Sequence, residues 1–270
     1  MPKLAEECIA SWKEHMPEWE YRRWDEANFD IASAPLYVRQ AYEAKKFAFV
    51  SDYVRLWALE KFGGLYMDVD FRIYRPFNDL LDKYAAFAGY EGSKRQPVMM
   101  GVIASEPHGA WVSDMLSTYQ FREFIKDDGN LDLTPNTSYF TDRLIAQGFI
   151  SDGIEKDFYL DENIENKEKN IKNNNVIENT SDSSDSQKTV KNSHADSKVF
   201  MLHVFPVEYF CPVLTTGEDV RTEETYCEHM GESSWAEQNW KGRVLQWLGP
   251  KWKTRIIKMK RRVENLNFRF

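Results

Sequence analysis

Residues 62–70 read FGGLYMDVD, and they combine a helix end, a chain reversal and a buried strand that carries two carboxylates. Glycines such as Gly63 and Gly64 commonly end a helix, and the apolar residues after them predict a strand. Successive side chains of a strand point to opposite faces. We therefore expect a polar face and a core face, made respectively of Tyr66, Asp68 and Asp70 and of Leu65, Met67, Val69 and Phe71.

The two carboxylates of this strand need a positive partner. Burying two like charges this close together costs several kcal/mol, and no lysine or arginine lies between Phe62 and Phe71. A divalent cation that also holds a phosphate is a common compensation. The motif therefore predicts a metal–nucleotide site at the end of a strand.

The rest of the chain predicts helices that alternate with strands. Ser51 is the expected N-cap of the helix that ends at Phe62, and Pro76 is expected to end the strand that follows. The other predicted helices span 3–15, 34–46, 109–120 and 136–147, and the other strands span 19–24, 84–90, 98–104 and 199–206. This order predicts an α/β fold in which both faces of the sheet are covered.

A chain of 270 residues is long enough for one large domain with a sizeable core. Within it, the segment 161–198 is rich in asparagine, serine, lysine and aspartate and almost free of aromatic residues, which predicts a disordered insertion. The expected division is an α/β core over 1–160, the insertion over 161–198, the remainder of the core over 199–240 and a basic amphipathic helix over 241–270.

Three scattered cysteines, Cys8, Cys211 and Cys227, show neither the pairing of a secreted disulfide framework nor the spacing of zinc ligands. The chain has no apolar run of about 18 residues, and its first residues lack the layout of a signal peptide. These features predict a cytoplasmic protein.

The segment 241–270 carries ten lysines and arginines against Glu264 alone, a net charge of +9, whereas the rest of the chain has −17. Tryptophan, leucine, isoleucine and methionine are interleaved with these charges, as in helices that lie on anionic membranes. We predict peripheral contact with the inner face of the membrane; a solvated helix docked on its own domain is the alternative. The acidic body and the lack of a nucleic-acid-binding motif predict no nucleic-acid partner.

Residues 45–81, KKFAFVSDYVRLWALEKFGGLYMDVDFRIYRPFNDLL, resemble the core of the DXD-motif sugar transferases. This group includes bacterial capsular-polysaccharide glycosyltransferases, fungal initiating mannosyltransferases and, more distantly, glucosylating toxins. A lone DXD is common in acidic proteins, whereas SDxxR, then FGGxYxDxD, then a proline six residues further on is specific. The resemblance implies a single nucleotide-sugar-binding domain of the GT-A type, Mn²⁺ or Mg²⁺ as cofactor, a UDP- or GDP-hexose donor and a glycan or lipid-linked glycan acceptor.

The resemblance also implies roles for five residues. Asp70 is expected to bind the metal directly, and Asp68 to contact the ribose, the donor sugar or a metal-bound water, so both are the expected catalytic residues. Asp52 and Arg55, at positions i and i+3 of one helix, are expected to bind adjacent sugar hydroxyls, and Tyr66 to line the pocket near the diphosphate. A helix ion pair and a packing ring are the structural alternatives for these last three.

Residues 225–235, TYCEHMGESSW, resemble the closing segment of the family, in which a histidine and a Ser-Trp pair lie near the metal and the diphosphate. His229 is thus a candidate metal ligand, and Ser234 and Trp235 are candidate donor-binding residues. Family members often have a second histidine where this chain has Met230, so a hydrogen-bonded structural histidine is the alternative for His229.

Family members retain the anomeric configuration of the sugar, and no residue of this chain can be assigned as the nucleophile of a double displacement. Front-side attack, in which the leaving phosphate takes the proton of the acceptor, is the expected mechanism. Members also begin with a strand resembling IPKIIHYCWFG, which this chain is expected to lack because Lys3 already starts a helix.

Two other functions stay open at this point. One is a degenerate transferase that binds a sugar nucleotide or a partner without turnover. The other is a phosphohydrolase that uses the DVD segment as nucleophile and acid. Such a site requires a threonine or valine soon after the second aspartate, where this chain has Phe71 and Arg72, and it requires a helix after the strand.

Overall fold

The computed structural model describes residues 3–92, 96–161 and 198–231. The predicted insertion and basic helix, together with Ser234 and Trp235, lie outside these residues. The helices are α1 (Lys3–His15), α2 (Leu36–Glu43), α3 (Phe47–Phe62), α4 (Asn78–Lys83), α5 (Ala110–Thr118), α6 (Asn136–Ala146) and α7 (Val207–Phe210). The strands are β1 (Gly64–Met67), β2 (Phe71–Ile73), β3 (Ala86–Gly89), β4 (Val102–Ser105), β5 (Lys156–Asp161), β6 (Lys198–Phe205) and β7 (Cys227–His229).

The main sheet has the strand order β1-β4-β3-β6-β5. Strand β4 is antiparallel to both of its neighbours, and β6 is parallel to β3, so β1, β3 and β6 run in one direction. Strand β5 runs against them. The predicted fold class, an α/β protein with a mixed sheet, is confirmed and is consistent with the GT-A type. The carboxyl ends of β1 and β3 meet at one edge, which is the edge where open α/β sheets bind ligands.

Two apolar clusters cover the two faces of this sheet. Strand β4 contributes to both clusters, since successive side chains point to opposite faces: Ile103 belongs to the first cluster, and its neighbours Val102 and Ala104 belong to the second. The first cluster is supplied mainly by α2, α3, α5 and α6, and the second by β2, α4, α7 and β7. Both faces of β1 are therefore covered as well: Tyr66 packs on the first cluster, and Leu65 packs on the second.

The predicted alternation of faces beyond β1 is wrong. The strand ends at Met67, and Asp68, Val69 and Asp70 form a turn that leads into β2. Val69, expected in the core, has half of its surface exposed. The backbone N–H of Phe71 donates to the carbonyl of Asp68, at 3.1 Å, and this bond reverses the chain before a second strand can continue the first. The two carboxylates consequently lie at the rim of the sheet.

Two predictions about the elements before this strand are also wrong. Residues 19–24 form no strand; Trp24 instead stacks on Phe62 and meets Trp57 edge-on, so aromatic packing holds this segment. Ser51 is not an N-cap, because α3 begins at Phe47. Its hydroxyl donates to the carbonyl of Ala48 inside the helix. The remaining predicted elements within the described residues are confirmed, most of them with shorter bounds.

The short connection between α3 and β1 depends on Gly63. Its φ of +65° is a left-handed value that other residues adopt at a cost. A Cβ atom at this position would lie 2.6 Å from Cδ and 2.8 Å from the backbone nitrogen of Pro107. Glycine at position 63 therefore allows both the positive φ and the close approach of Pro107.

We predict that Gly63→Ala lowers the free energy of unfolding by about 3 kcal/mol, since the strained angle and the overpacking each cost about 1–3 kcal/mol. Gly129→Ala is the matched control, because Gly129 also has a positive φ, +79°, but nothing within 4 Å of the added Cβ. It should cost about 1 kcal/mol. Urea denaturation measures both; equal losses would show that the approach of Pro107 is not a constraint.

Candidate functional site

The turn after β1 places Asp68 and Asp70 in different environments. The Asp68 backbone N–H donates to the carbonyl of Gly101, at 2.8 Å, which fixes the turn against the start of β4. The side chain of Asp68 is 35% exposed, whereas that of Asp70 is 10% exposed. One carboxylate is thus open to a ligand on one side, and the other is almost enclosed.

Asp68 is held by two protein contacts through the same oxygen. The Tyr66 hydroxyl donates to Oδ1 at 2.6 Å, and Nη2 of Arg55 lies 3.5 Å from it. Burial raises the pKa of Tyr66 well above its ordinary value, so the hydroxyl keeps its proton and acts as a donor. Oδ2 of Asp68 makes no hydrogen bond to the described part of the chain, and it lies 3.0 Å from where a Cβ of Gly101 would be.

Arg55 joins Asp52 and Asp68 from inside the protein. Its side chain is 7% exposed, Nη2 pairs with Oδ1 of Asp52 at 2.8 Å, and Nη1 donates to the carbonyl of Met100 at 2.6 Å. The guanidinium also lies over the ring of Tyr66, 4.7 Å from its centroid. The helix ion pair, which was the structural alternative for Asp52 and Arg55, therefore forms, and their binding of a donor sugar stays a prediction. The structure brings the predicted residues of α3 and β1 together.

The charges of this group act on one another. Burial raises the pKa of Asp52 to about 6, although the charge of Arg55 lowers it. Burial alone would lower the pKa of Arg55, but the charges of Asp68 and Asp52 raise it overall. Arg55 is thus a fixed cation that serves two carboxylates.

Asp70 meets His229 across the second, two-stranded sheet. In that sheet Phe71 of β2 pairs with His229 of β7, and their rings stack with centroids 4.8 Å apart. This register puts Nε2 of His229 at 3.0 Å from Oδ2 of Asp70, and the Met230 N–H donates to the Asp70 carbonyl at 2.8 Å. Burial lowers the pKa of His229, but the hydrogen bond and charge of Asp70 reverse this, and the pKa is raised.

The donor atoms present fit a hard divalent cation that shares its ligands with a phosphate. Among the described residues, Asp52, Asp68 and Asp70 form ion pairs only with Arg55 and His229; Arg122, whose charge also acts on Asp52, is paired with Asp132. Negative charge is therefore in excess even when His229 is protonated. Asp70 uses Oδ2 for His229, and no described residue hydrogen-bonds to its Oδ1. No three candidate ligands among the described residues are close enough to enclose a metal by themselves. Such an arrangement suits Mg²⁺ or Mn²⁺ held by one or two carboxylates, water and phosphate.

The sequence analysis missed two residues of this region. Glu91 follows β3, whose carboxyl end shares an edge with that of β1; burial raises the pKa of Glu91, and the charge of His229 lowers it. Gly101 approaches Asp68 so closely that a Cβ there would also lie 2.7 Å from Cε2 of Phe71. An acidic residue just after a second strand of the same direction was the available signal for Glu91. No local signal identifies Gly101, because its neighbours are distant in sequence.

Comparison with known proteins matches the segment that contains Asp52, Arg55, Tyr66, Asp68 and Asp70. Residues 2–87 match the family described as "Glycosyltransferase sugar-binding region containing DXD motif". The resemblance is thereby confirmed over this third of the chain. A curated relative, "Glucan organizing enzyme 1" of Cryptococcus neoformans var. grubii, is 31% identical over 84 residues. The match covers 28% of this chain and 23% of that protein. No solved structure matches the chain.

Two further findings concern the predicted location of the protein. All three cysteines are buried, and none forms a disulfide. In the ranges 3–92, 96–161 and 198–231, no helix has the length and apolar character needed to cross a bilayer. Contact of 241–270 with a membrane stays a prediction.

The raised pKa of Asp52 predicts a pH effect on folding. Because the folded pKa, about 6, exceeds the ordinary 3.8, the contribution of Asp52 to stability is present in acid and is lost as the pH rises through 6. The substitution Asp52→Asn removes the ionisable group, so the variant does not lose stability from this source as the pH rises. The stability of Asp52→Asn relative to wild type should therefore increase from pH 4 to pH 7.5, by at most about 3 kcal/mol for about two pKa units.

Asp132→Asn is the control of opposite sign. Burial raises the pKa of Asp132, but hydrogen bonds from Thr134 and Arg122 outweigh it, so the pKa is lowered. Stability from Asp132 is present at neutral pH and is lost as the pH falls. Relative to wild type this variant should lose stability as the pH rises from 4 to 7.5, but by well under about 1 kcal/mol, because most of the change lies below the ordinary pKa of 3.8. Denaturation at both pH values checks the pair, and the same sign of change in both variants would contradict the assignment for Asp52.

Proposed function

We propose that this protein is a metal-dependent, retaining glycosyltransferase that moves a hexose from a UDP- or GDP-sugar to a polysaccharide or lipid-linked glycan. The observation that carries the proposal is the coincidence of the family match over 2–87 with the excess of carboxylate charge at the rim of the sheet. The curated relative is named "Glucan organizing enzyme 1", and a polysaccharide acceptor is in keeping with that name. In this proposal residues 1–160 and 199–240 form the nucleotide-sugar-binding domain.

The residues divide the work by their position. Asp70, buried and oriented by His229, would hold the cation through Oδ1, and Asp68 would reach it, or a water bound to it, through Oδ2. A divalent cation at this point supplies charge that stabilises the leaving nucleoside diphosphate. Because His229 already bonds to Asp70, its first role here is to orient that carboxylate, as a partner behind a metal ligand does.

Asp52, Arg55 and Tyr66 would bind and orient the donor. Asp52 keeps 15% of its side chain exposed and can accept from a sugar hydroxyl, while Arg55 holds both Asp52 and Asp68 in place. Ser234 and Trp235 are proposed to complete the donor pocket. Front-side attack stays part of the proposal: the leaving phosphate accepts the proton of the attacking acceptor hydroxyl, so no protein base is needed.

The structure does not favour the phosphohydrolase alternative. The turn of Asp68 and Asp70 leads into β2, which pairs with β7, and not into a helix. A degenerate transferase differs from an active one only in turnover, so the assay below separates the two.

We predict that Asp70→Ala lowers the turnover of the productive UDP- or GDP-hexose, assayed with Mn²⁺, by at least about 100-fold. A metal ion contributes several kcal/mol to the stabilisation of the leaving group, and each 1.4 kcal/mol is a factor of about ten. Asp127→Ala, which changes an exposed carboxylate far along the chain, is the matched control and should keep wild-type turnover.

Equal turnover in Asp70→Ala and wild type would contradict the assignment of the site. If the wild-type protein binds the donor in calorimetry but neither transfers nor hydrolyses the sugar, the degenerate transferase is the correct alternative.

A further inference from the structure

A second concave surface lies on the other side of α3 from the carboxylates. The segment 26–34 runs across α2 and α3 and leaves two adjoining cavities, of about 520 Å³ and about 190 Å³. Both cavities are lined by Phe29 and Asp30. The smaller cavity is lined by Phe29, Asp30, Ser33, Ala34, Tyr53 and Trp57. We call the two cavities together the 26–34 groove.

Aromatic rings form the walls of the smaller cavity. Tyr53 and Trp57 are four residues apart on α3 and so lie on one face of the helix. The ring of Phe29 meets both edge-on, with centroids 6.2 Å from Tyr53 and 5.0 Å from Trp57. Tyr53 and Trp57 are only partly buried and border the cavity, although Nζ of Lys61 lies over the Trp57 ring, 5.1 Å from its centroid. Flat apolar rings of this kind pack against the C–H faces of a pyranose.

The rim of the groove is polar and acidic. Asp30 is exposed, and its carboxylate accepts hydrogen bonds from the backbone N–H of Ala32 and the hydroxyl of Ser33. Glu26 and Asn28 line the larger cavity, and Glu26 lies 3.5 Å from the Tyr42 hydroxyl. No lysine or arginine of the described residues lines either cavity. Carboxylates and an amide bind neutral hydroxyls well, but they repel phosphates and uronic acids.

The buried ring of Tyr119 lies between the groove and the proposed donor site. Tyr53 directly follows Asp52 in α3, and its ring lies 5.0 Å from that of Tyr119. The charge of Asp52 acts on the Tyr119 hydroxyl, which shows that this ring also borders the Asp52–Arg55 pair. A glycan held in the groove would therefore lie one helix diameter, about 10 Å, from the donor site, and its further units would extend around α3 towards the donor.

We propose that the 26–34 groove binds neutral hexose units of the acceptor glycan, with the aromatic rings against the sugar faces and the acidic rim on the hydroxyls. This inference rests on the proposed function and names the acceptor class for it. The negative charge of Glu26 and Asp30 at the rim disfavours a nucleotide or an acidic polysaccharide as the occupant.

Saturation-transfer NMR with oligosaccharides of four to six units tests the proposal on the full chain. The probes are gluco-, manno- and galacto-oligosaccharides, with oligogalacturonate as the anionic counterpart. Wild-type protein should bind at least one neutral probe and not the anionic one. Trp57→Ala should weaken this binding at least tenfold, because it removes one wall; Tyr159→Ala, which changes an exposed ring on β5, should not.

A second pair of variants covers the case in which Trp57→Ala does not fold. Ser33→Trp adds bulk at the exposed lip and should block the cavity, whereas Ser33→Ala loses the same hydrogen bond to Asp30 without filling the space. Tenfold weaker binding in the first and unchanged binding in the second is the expected result. Equal binding in both variants, absence of binding to every neutral probe, or equal binding of oligogalacturonate would overturn the proposal.

A thermal-shift measurement with UDP- and GDP-hexoses and Mn²⁺ separates this proposal from the proposed function. A ligand that binds the folded state raises the melting temperature, and the groove variants should keep the wild-type shift. If wild type shows no shift with any donor, the transferase proposal fails while the glycan result stands on its own. If the donor shift is normal and glycan binding is absent, only the groove proposal fails.

Discussion

The structure depends on the balance of charge at the turn between β1 and β2. Asp70 has only a tenth of its side chain exposed, and the hydrogen bond with His229 is what makes an enclosed carboxylate tolerable there. Asp68 shares Arg55 with Asp52, so one guanidinium serves two anions. An arginine of the same protein therefore compensates part of the charge but not all of it. The remaining excess is the physical basis for a cation bound together with a phosphate.

Both sheets help to position the turn between β1 and β2. Strand β1 ends at the rim because the chain reverses after Met67, and Gly101 at the start of β4 leaves room for the carboxylate of Asp68. The pairing of β2 with β7 then brings His229, distant in sequence, to Asp70. Residues from α3, β1 and β7 thus converge at one edge of the main sheet, and the aromatic groove on the opposite face of α3 is formed by the same helix.

Much of the fold follows from the sequence because both faces of the main sheet are covered, and buried strands such as β3 and β4 read as continuous apolar runs. The helix pair Asp52–Arg55 also followed from spacing alone. The failures have a common cause. Whether β1 continues through Val69, or residues 19–24 form a strand, depends on which partner strand is available, and this is a property of the tertiary structure. Likewise, the contact of Arg55 with Asp68 and the approach of Gly101 join residues that no local pattern relates.

The most direct test of the account is anomalous diffraction at the manganese edge from crystals grown with Mn²⁺ and UDP or GDP. The account predicts a manganese ion within about 2.0–2.3 Å of a carboxylate oxygen of Asp70 and in contact with the diphosphate, since hard cations bind oxygen at such distances. His229 should then remain hydrogen-bonded to the other carboxylate oxygen of Asp70. Manganese bound elsewhere, or nucleotide bound with the Asp68–Asp70 turn facing away from it, would contradict the central claim.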